Sequence, residues 1–150
     1  MTDQMGSTYV GAEVDANLIV PYVDSLSLLV GRKRVSELQE RKAQRDGPCE
    51  HHLTLVSPPE FHGCNSTGLT ASLEVTLVGI GRQANDVTET YYVVVESTQA
   101  QDFRRRLGLP PRDLHITLGY DPSDIYDMPK GLNTLVSRSN GDVVEFRFNV

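Results

Sequence analysis

One four-residue phrase occurs twice, as His52-Leu53-Thr54-Leu55 and as His115-Ile116-Thr117-Leu118. Each copy sits in a short apolar run marked off by turn formers: Gly47-Pro48 and Pro58-Pro59 around the first, Gly108-Leu109-Pro110-Pro111 ahead of the second. Bounded runs of this length and composition predict strands. Side chains alternate along a strand, so His52 and Thr54 share one face while Leu53 and Leu55 take the other; His115 and Thr117 stand in the same way opposite Ile116 and Leu118. Each copy therefore offers an imidazole beside a hydroxyl, anchored by two apolar side chains. From His52 to His115 is 63 positions in a chain of 150, the spacing expected of a duplicated half-domain.

The rest of the chain supports an α+β domain. Strands are predicted at Tyr9–Val14, His51–Val56, Leu69–Ile80, Thr90–Ser97, Leu114–Tyr120 and Val143–Asn149, the third and fourth forming a hairpin across Gly81 and Asn85-Asp86. Helices are predicted at Ala16–Val30, Val35–Gln44 and Gln99–Leu107. Pro21 is expected in the first turn of the first helix or at a break. The second helix, with Val35, Leu38 and Ala43 among charges, reads as exposed and with few tertiary contacts. No linker or low-complexity block divides the chain, so residues 8–150 read as one domain behind a flexible polar segment, 1–7.

Two imidazole–hydroxyl pairs suit phosphodiester chemistry. Opening a cyclic phosphate needs a base to deprotonate the attacking oxygen and an acid to protonate the departing one. Histidine titrates near neutrality, so one copy can be neutral while the other is charged. Thr54 and Thr117 would hydrogen-bond the non-bridging oxygens and hold phosphorus in line. No metal or other cofactor is required. Which histidine is base and which acid is left open by the sequence.

The duplicated phrase, with its surroundings His52–Pro59 (HLTLVSPP) and Leu114–Gly131 (LHITLGYDPSDIYDMPKG), resembles the signature of the 2H phosphoesterase superfamily, which includes 2′-5′ RNA ligase-like proteins and cyclic phosphodiesterases. It is most similar to the branch called Swiss army knife. The resemblance implies a two-lobed α+β fold with pseudo-twofold symmetry, two antiparallel sheets forming a central cleft and helices packed outside. It implies His52 and His115 as catalytic residues and Thr54 and Thr117 as phosphate ligands. Implied substrates are 2′,3′-cyclic phosphate ends, ADP-ribose cyclic phosphate, 2′-5′ oligonucleotides and cyclic-nucleotide signals. The chain departs from the superfamily in being short and acidic. A short chain has fewer loops with which to grip long RNA, which favours a nucleotide or small oligonucleotide as partner. A non-catalytic module that binds nucleotides or RNA ends in the same cleft is the alternative.

Other residues are weaker candidates. Tyr120 and Tyr126 flank the second motif and offer rings for a base to stack on, or else pack in the core and loop. Lys130 brings a cation to the phosphate, or else is an exposed loop lysine. Tyr9 and Gly11 open the first strand, where a close backbone approach is conceivable. Asp121, Asp124 and Asp127 lack the spacing of a calcium loop and read as a turn around Pro122. His51, on the face of Leu53, and His62, among turn residues, read as structural or peripheral. Cys49, His51, His52, His62 and Cys64 crowd together but show neither spacing typical of zinc.

Charge narrows the field further. Fourteen Lys plus Arg against twenty Asp plus Glu leave a formal −6, which argues against bulk coating of nucleic acid. Two basic groups, Arg32–Arg45 and Arg104–Arg112, read as solvated helix faces. No run of eighteen apolar residues predicts a membrane span. Residues 1–7 lack the layout of a secretory signal, which points to the cytoplasm or to a mature chain whose signal has been removed.

Overall fold

The two motif segments form strands that pair with each other. The computed structural model describes residues 1–3, 7–48, 50–62 and 70–149, and of His62 the backbone only. Its elements in chain order are β1 (Val10–Glu13), α1 (Ala16–Val30), α2 (Arg32–Asp46), β2 (His52–Val56), α3 (Pro58–His62), β3 (Thr70–Ala84), β4 (Glu89–Glu96), α4 (Thr98–Arg106), β5 (Leu114–Asp121), a 3-10 turn at Leu132–Thr134, and β6 (Leu135–Asn149). Every pairing is antiparallel, in the order β1-β2-β5-β4-β3-β6, and Gly11 opposite Asn149 closes the ring. The α+β class stands. The two separate sheets are replaced by one continuous sheet, because β4 pairs along both edges, with β3 and with β5, and so joins the halves.

Alternation decides which face is dry. Leu53, Leu55, Ile116 and Leu118 are buried in one core with Ile19, Leu26 and Leu38 from the first two helices and Ala100 from α4. Burying each leucine or isoleucine side chain contributes roughly 1.5–3 kcal/mol. That contribution fixes the register, since a slip of one residue would turn the leucines outward and the histidines inward.

Helix α1 starts at Asp15, whose carboxylate accepts the Asn17 N–H at 2.8 Å. It runs through Pro21 to Val30 without a break, contrary to expectation. Pro21 is exposed and removes one intrahelical hydrogen bond, a loss offset by the burial of Ile19, Tyr22 and Leu26 on the opposite side. Gly31, at φ 91°, lets the chain reverse directly into α2.

Helix α2 is longer than its apolar residues suggest and far from isolated. Val35 and Leu38 are buried, and the helix backbone rides directly on β5. A Cβ at Gly119 would lie 2.8 Å from both the carbonyl carbon and the Cβ of Leu38. Gly119→Ala must therefore push α2 away from the strand that carries His115 and Thr117. The expected cost is about 1–3 kcal/mol, read as a lowered midpoint in chemical denaturation; an unchanged midpoint would refute this account of the packing.

Strand β6 begins at Leu135 rather than Val143. Its first half, rich in Ser, Arg, Asn and Gly, has little strand propensity and is held by pairing with β3. At the amino terminus, Thr2 bridges Thr8 and the Tyr9 N–H donates to the Met1 carbonyl at 2.9 Å. Among the described residues no helix is long and apolar enough to cross a membrane.

Candidate functional site

In the β2–β5 pair, Leu53 lies opposite Ile116, the second position of one motif facing the second position of the other. An antiparallel pair has a local twofold axis, and this register sets it between the two motifs. The axis carries His52 onto His115 and Thr54 onto Thr117. Each histidine thereby faces the other motif's threonine across the ladder, and the two histidines form a diagonal pair. Diagonal neighbours in such a ladder are roughly 7–8 Å apart, their Cβ atoms somewhat less, a gap that a phosphate group can occupy. All four side chains line one cleft of about 840 Å³.

Each imidazole leans on a tyrosine from the neighbouring strand. Tyr9, just before β1, has its ring centroid 6.0 Å from that of His52, and Tyr92 of β4 meets His115 edge-on at 5.6 Å. Gly11 makes the first contact possible, since a Cβ there would lie 2.7 Å from the Tyr9 ring. The close approach at Gly11 is thus made by Tyr9. The Tyr92 hydroxyl is fixed by a 2.7 Å hydrogen bond with Thr134 Oγ1.

The end of α2 and the loop after β5 supply a buried chain of ions. Lys42 pairs with Asp46 at 3.3 Å; Arg45 contacts both carboxylate oxygens of Asp46 and reaches Asp124 at 3.0 Å; Asp124 accepts from Lys130 at 3.1 Å. Arg45 also donates to the Tyr126 hydroxyl at 2.8 Å. Lys130 is only 4% exposed, not an open loop lysine, and its ammonium lies 5.5 Å from the Tyr92 ring. Lys42, Arg45 and Arg104 likewise leave the solvated faces expected of them. Lys42 and Arg104 are buried and Arg45 is half-buried because carboxylates accompany them: Asp46 of the same helix pairs with Lys42 and Arg45, Asp124 with Arg45, and Glu60 binds Arg104 at 2.6 Å, while Arg104 also donates to the Leu55 and Pro110 carbonyls. Asp121 and Asp124 pair with side-chain cations, Asp121 with Arg34 at 2.7 Å.

Of the further sequence candidates, Tyr9, Tyr126 and Lys130 line the cleft and Tyr120 does not. Tyr120 is buried, and Arg45 stacks over its ring at 5.0 Å, so it supports the ion chain from behind. His51 Nδ1 lies 3.4 Å from the Thr117 carbonyl at the edge of the cleft. Cys49, Cys64 and the His62 side chain lie outside the described residues; among the described residues no group of three or more His, Cys, Asp or Glu is placed to hold a metal ion.

The two imidazoles have different surroundings. Burial pushes His115 down to about 3, and the Lys130 ammonium acts in the same direction. Burial also lowers His52, but there the Asp46 carboxylate opposes the shift. Against the upward push of burial, Arg45 holds Asp46, and Lys130 with Arg45 holds Asp124, below the usual carboxylate range. Six carboxylates line the cleft among the described residues: Asp3, Glu13, Asp46, Glu50, Asp113 and Asp124. The side-chain cations lining it among the described residues are Arg45, Arg112 and Lys130.

The profile described as Swiss Army Knife, 2H phosphoesterase domain matches residues 17–126, a span that contains both motif strands. The chain belongs to this 2H phosphoesterase family. No curated protein and no solved structure matches it. In this 2H phosphoesterase the matched span includes Lys42, Arg45, Asp46 and Asp124 and stops short of Lys130 and β6. The sequence reading missed Arg45, Asp46 and Arg112 as cleft-facing groups and Tyr92 as the ring behind His115. A signal for the first existed: Lys42 and Arg45 continue the buried stripe of Val35 and Leu38 at helical spacing.

Proposed function

We propose that the protein is a phosphodiesterase that hydrolyses small cyclic phosphodiesters, with 2′,3′-cyclic nucleotides as the reference substrate, by general acid–base catalysis between His52 and His115. The observation that carries this reading is the β2–β5 register, with Leu53 opposite Ile116. The phosphate sits between the imidazoles, and the Thr54 and Thr117 hydroxyls donate to its non-bridging oxygens.

The surroundings divide the roles. Burial favours the neutral form of both rings; at His52 the Asp46 carboxylate is the largest opposing influence, set against Arg45 and Lys42, whereas at His115 the Lys130 ammonium outweighs Asp124 and adds to the effect of burial. In this reading His115 takes a proton from water as the water oxygen bonds to phosphorus. The bond from phosphorus to one ribose oxygen breaks, and His52 gives that oxygen a proton. The Nδ1 of His115 lies 3.4 Å from the Asp113 carbonyl, a position that leaves Nε2 to face the substrate. None of these steps calls for a metal ion.

This division has a pH signature. The competent free enzyme carries a charged His52 and a neutral His115, and kcat/KM reports free-enzyme ionisations. Both imidazoles are shifted below the ordinary 6.5, His115 to about 3. The active window therefore lies between them, and kcat/KM falls as pH rises from 6 to 8. Glu60, held near 2 by its hydrogen bonds with Arg104, stays ionised through that window, and Asp46 and Asp124 are held below the usual carboxylate range. An optimum at or above pH 7 would refute the assignment.

The direct test is product analysis with 2′,3′-cyclic nucleotides, ADP-ribose cyclic phosphate, 2′-5′ oligoadenylate and cyclic oligonucleotides, all in EDTA. Turnover supports the phosphodiesterase. Tight binding with every ligand left intact would replace it with a nucleotide-binding module in the same cleft.

A further inference from the structure

The cations of the cleft are already committed. Arg45 is held by Asp46 and Asp124, Lys130 by Asp124, and Arg112 lies 3.4 Å from a Glu60 oxygen. Three side-chain cations against the six carboxylates named above leave the described lining side chains at a formal −3 with the histidines neutral. The excess is placed asymmetrically. Glu13 lies opposite His52 in the β1–β2 register and therefore shares its face; it is exposed, as is Glu50 two residues ahead of His52. Lys130 and Arg112 lie toward His115.

We infer that the cleft selects a substrate bearing a single phosphate charge, and that it rejects nucleotides with further phosphates and oligonucleotide ends. This rests on the phosphodiesterase reading and names the substrate class for it. The one phosphate between the motifs is held by two hydroxyls and whichever imidazole is charged. A second phosphate would find each lining side-chain cation among the described residues paired, and would meet Glu13 and Glu50 at the His52 side. Like charges that close are repulsive and only partly screened by solvent. A nucleoside 2′,3′-cyclic phosphate carries one negative charge; its 5′-phosphorylated counterpart carries two more near neutrality.

The experiment compares kcat/KM at low ionic strength for three substrates of the same base: a nucleoside 2′,3′-cyclic phosphate, its 5′-phosphorylated form, and a short oligonucleotide ending in a 2′,3′-cyclic phosphate. The nucleoside is expected to be preferred at least tenfold, with the gap closing toward parity at about 0.5 M salt. Glu13→Gln should narrow the gap by raising turnover of the phosphorylated substrates while leaving the nucleoside rate near wild type. Glu50→Gln repeats the test at an independent position should the first variant fold poorly. Equal or better use of the phosphorylated substrates overturns the inference, and so does a gap that neither salt nor either variant moves. If none of the three substrates turns over, the phosphodiesterase reading itself fails.

Discussion

His52→Ala and His115→Ala each lower kcat/KM on a cyclic nucleotide by about 10²–10⁴, the range that a positioned acid or base supplies. The double variant falls little further, because acid and base act in one step and removing either leaves the other without its partner. Thermal melts separate this from damage to the fold. Both rings are half-buried against tyrosines and make no ion pair among the described residues, so truncation leaves the core of Leu53, Leu55, Ile116 and Leu118 intact. A full rate in either variant refutes the two-histidine mechanism.

Asp124→Ala has the largest expected effect on stability. The Asp124 side chain is 3% exposed and lies between Arg45 at 3.0 Å and Lys130 at 3.1 Å. Its removal strands a buried ammonium and weakens the hold on a guanidinium, a loss of about 3–5 kcal/mol that lowers Tm by about 10 °C. Adding Lys130→Met removes the stranded charge and should recover part of the loss, which a simple cavity effect would not allow. The sign of the pH dependence follows from the lowered carboxyl. Its contribution is fully present above the ordinary aspartate value and is lost as pH falls through the lowered one. Wild type and variant should therefore converge in stability at strongly acidic pH; a variant as stable as wild type at neutral pH would show that the ion chain is not structural.

The motif histidines and threonines were legible in the sequence because alternation along a strand is a local property, and because the phrase is written twice. The ion chain was not, for a physical reason: Arg45 and Asp124 are 79 residues apart and meet only once α2 lies on β5. Charged residues near a helix end ordinarily face water, so Lys42 and Arg45 read as solvent-facing although they continue the stripe of Val35 and Leu38. Lys130 was misjudged in the same way, its surroundings being a loop whose partners, Asp124 and Tyr92, the sequence does not reveal. Leu135–Asp142 is a strand through its neighbour β3, and neither period nor composition announces it. The single continuous sheet depends on β4 pairing along both edges, a choice that local patterns leave open.

The register that sets Leu53 against Ile116 also bears on product regiochemistry. A site built on a local dyad offers a tetrahedral phosphate two equivalent poses, related by exchange of the two histidines. Under the proposed mechanism the 2′ oxygen of a 2′,3′-cyclic phosphate would depart in one pose and the 3′ oxygen in the other. The motifs cannot choose between them, since each reads the same from either side. That choice falls to the unequal neighbours, Asp46 on one flank and Lys130 on the other. Evolution can therefore reverse which hydroxyl keeps the phosphate by relocating charge around the motifs while leaving all four of their polar side chains untouched.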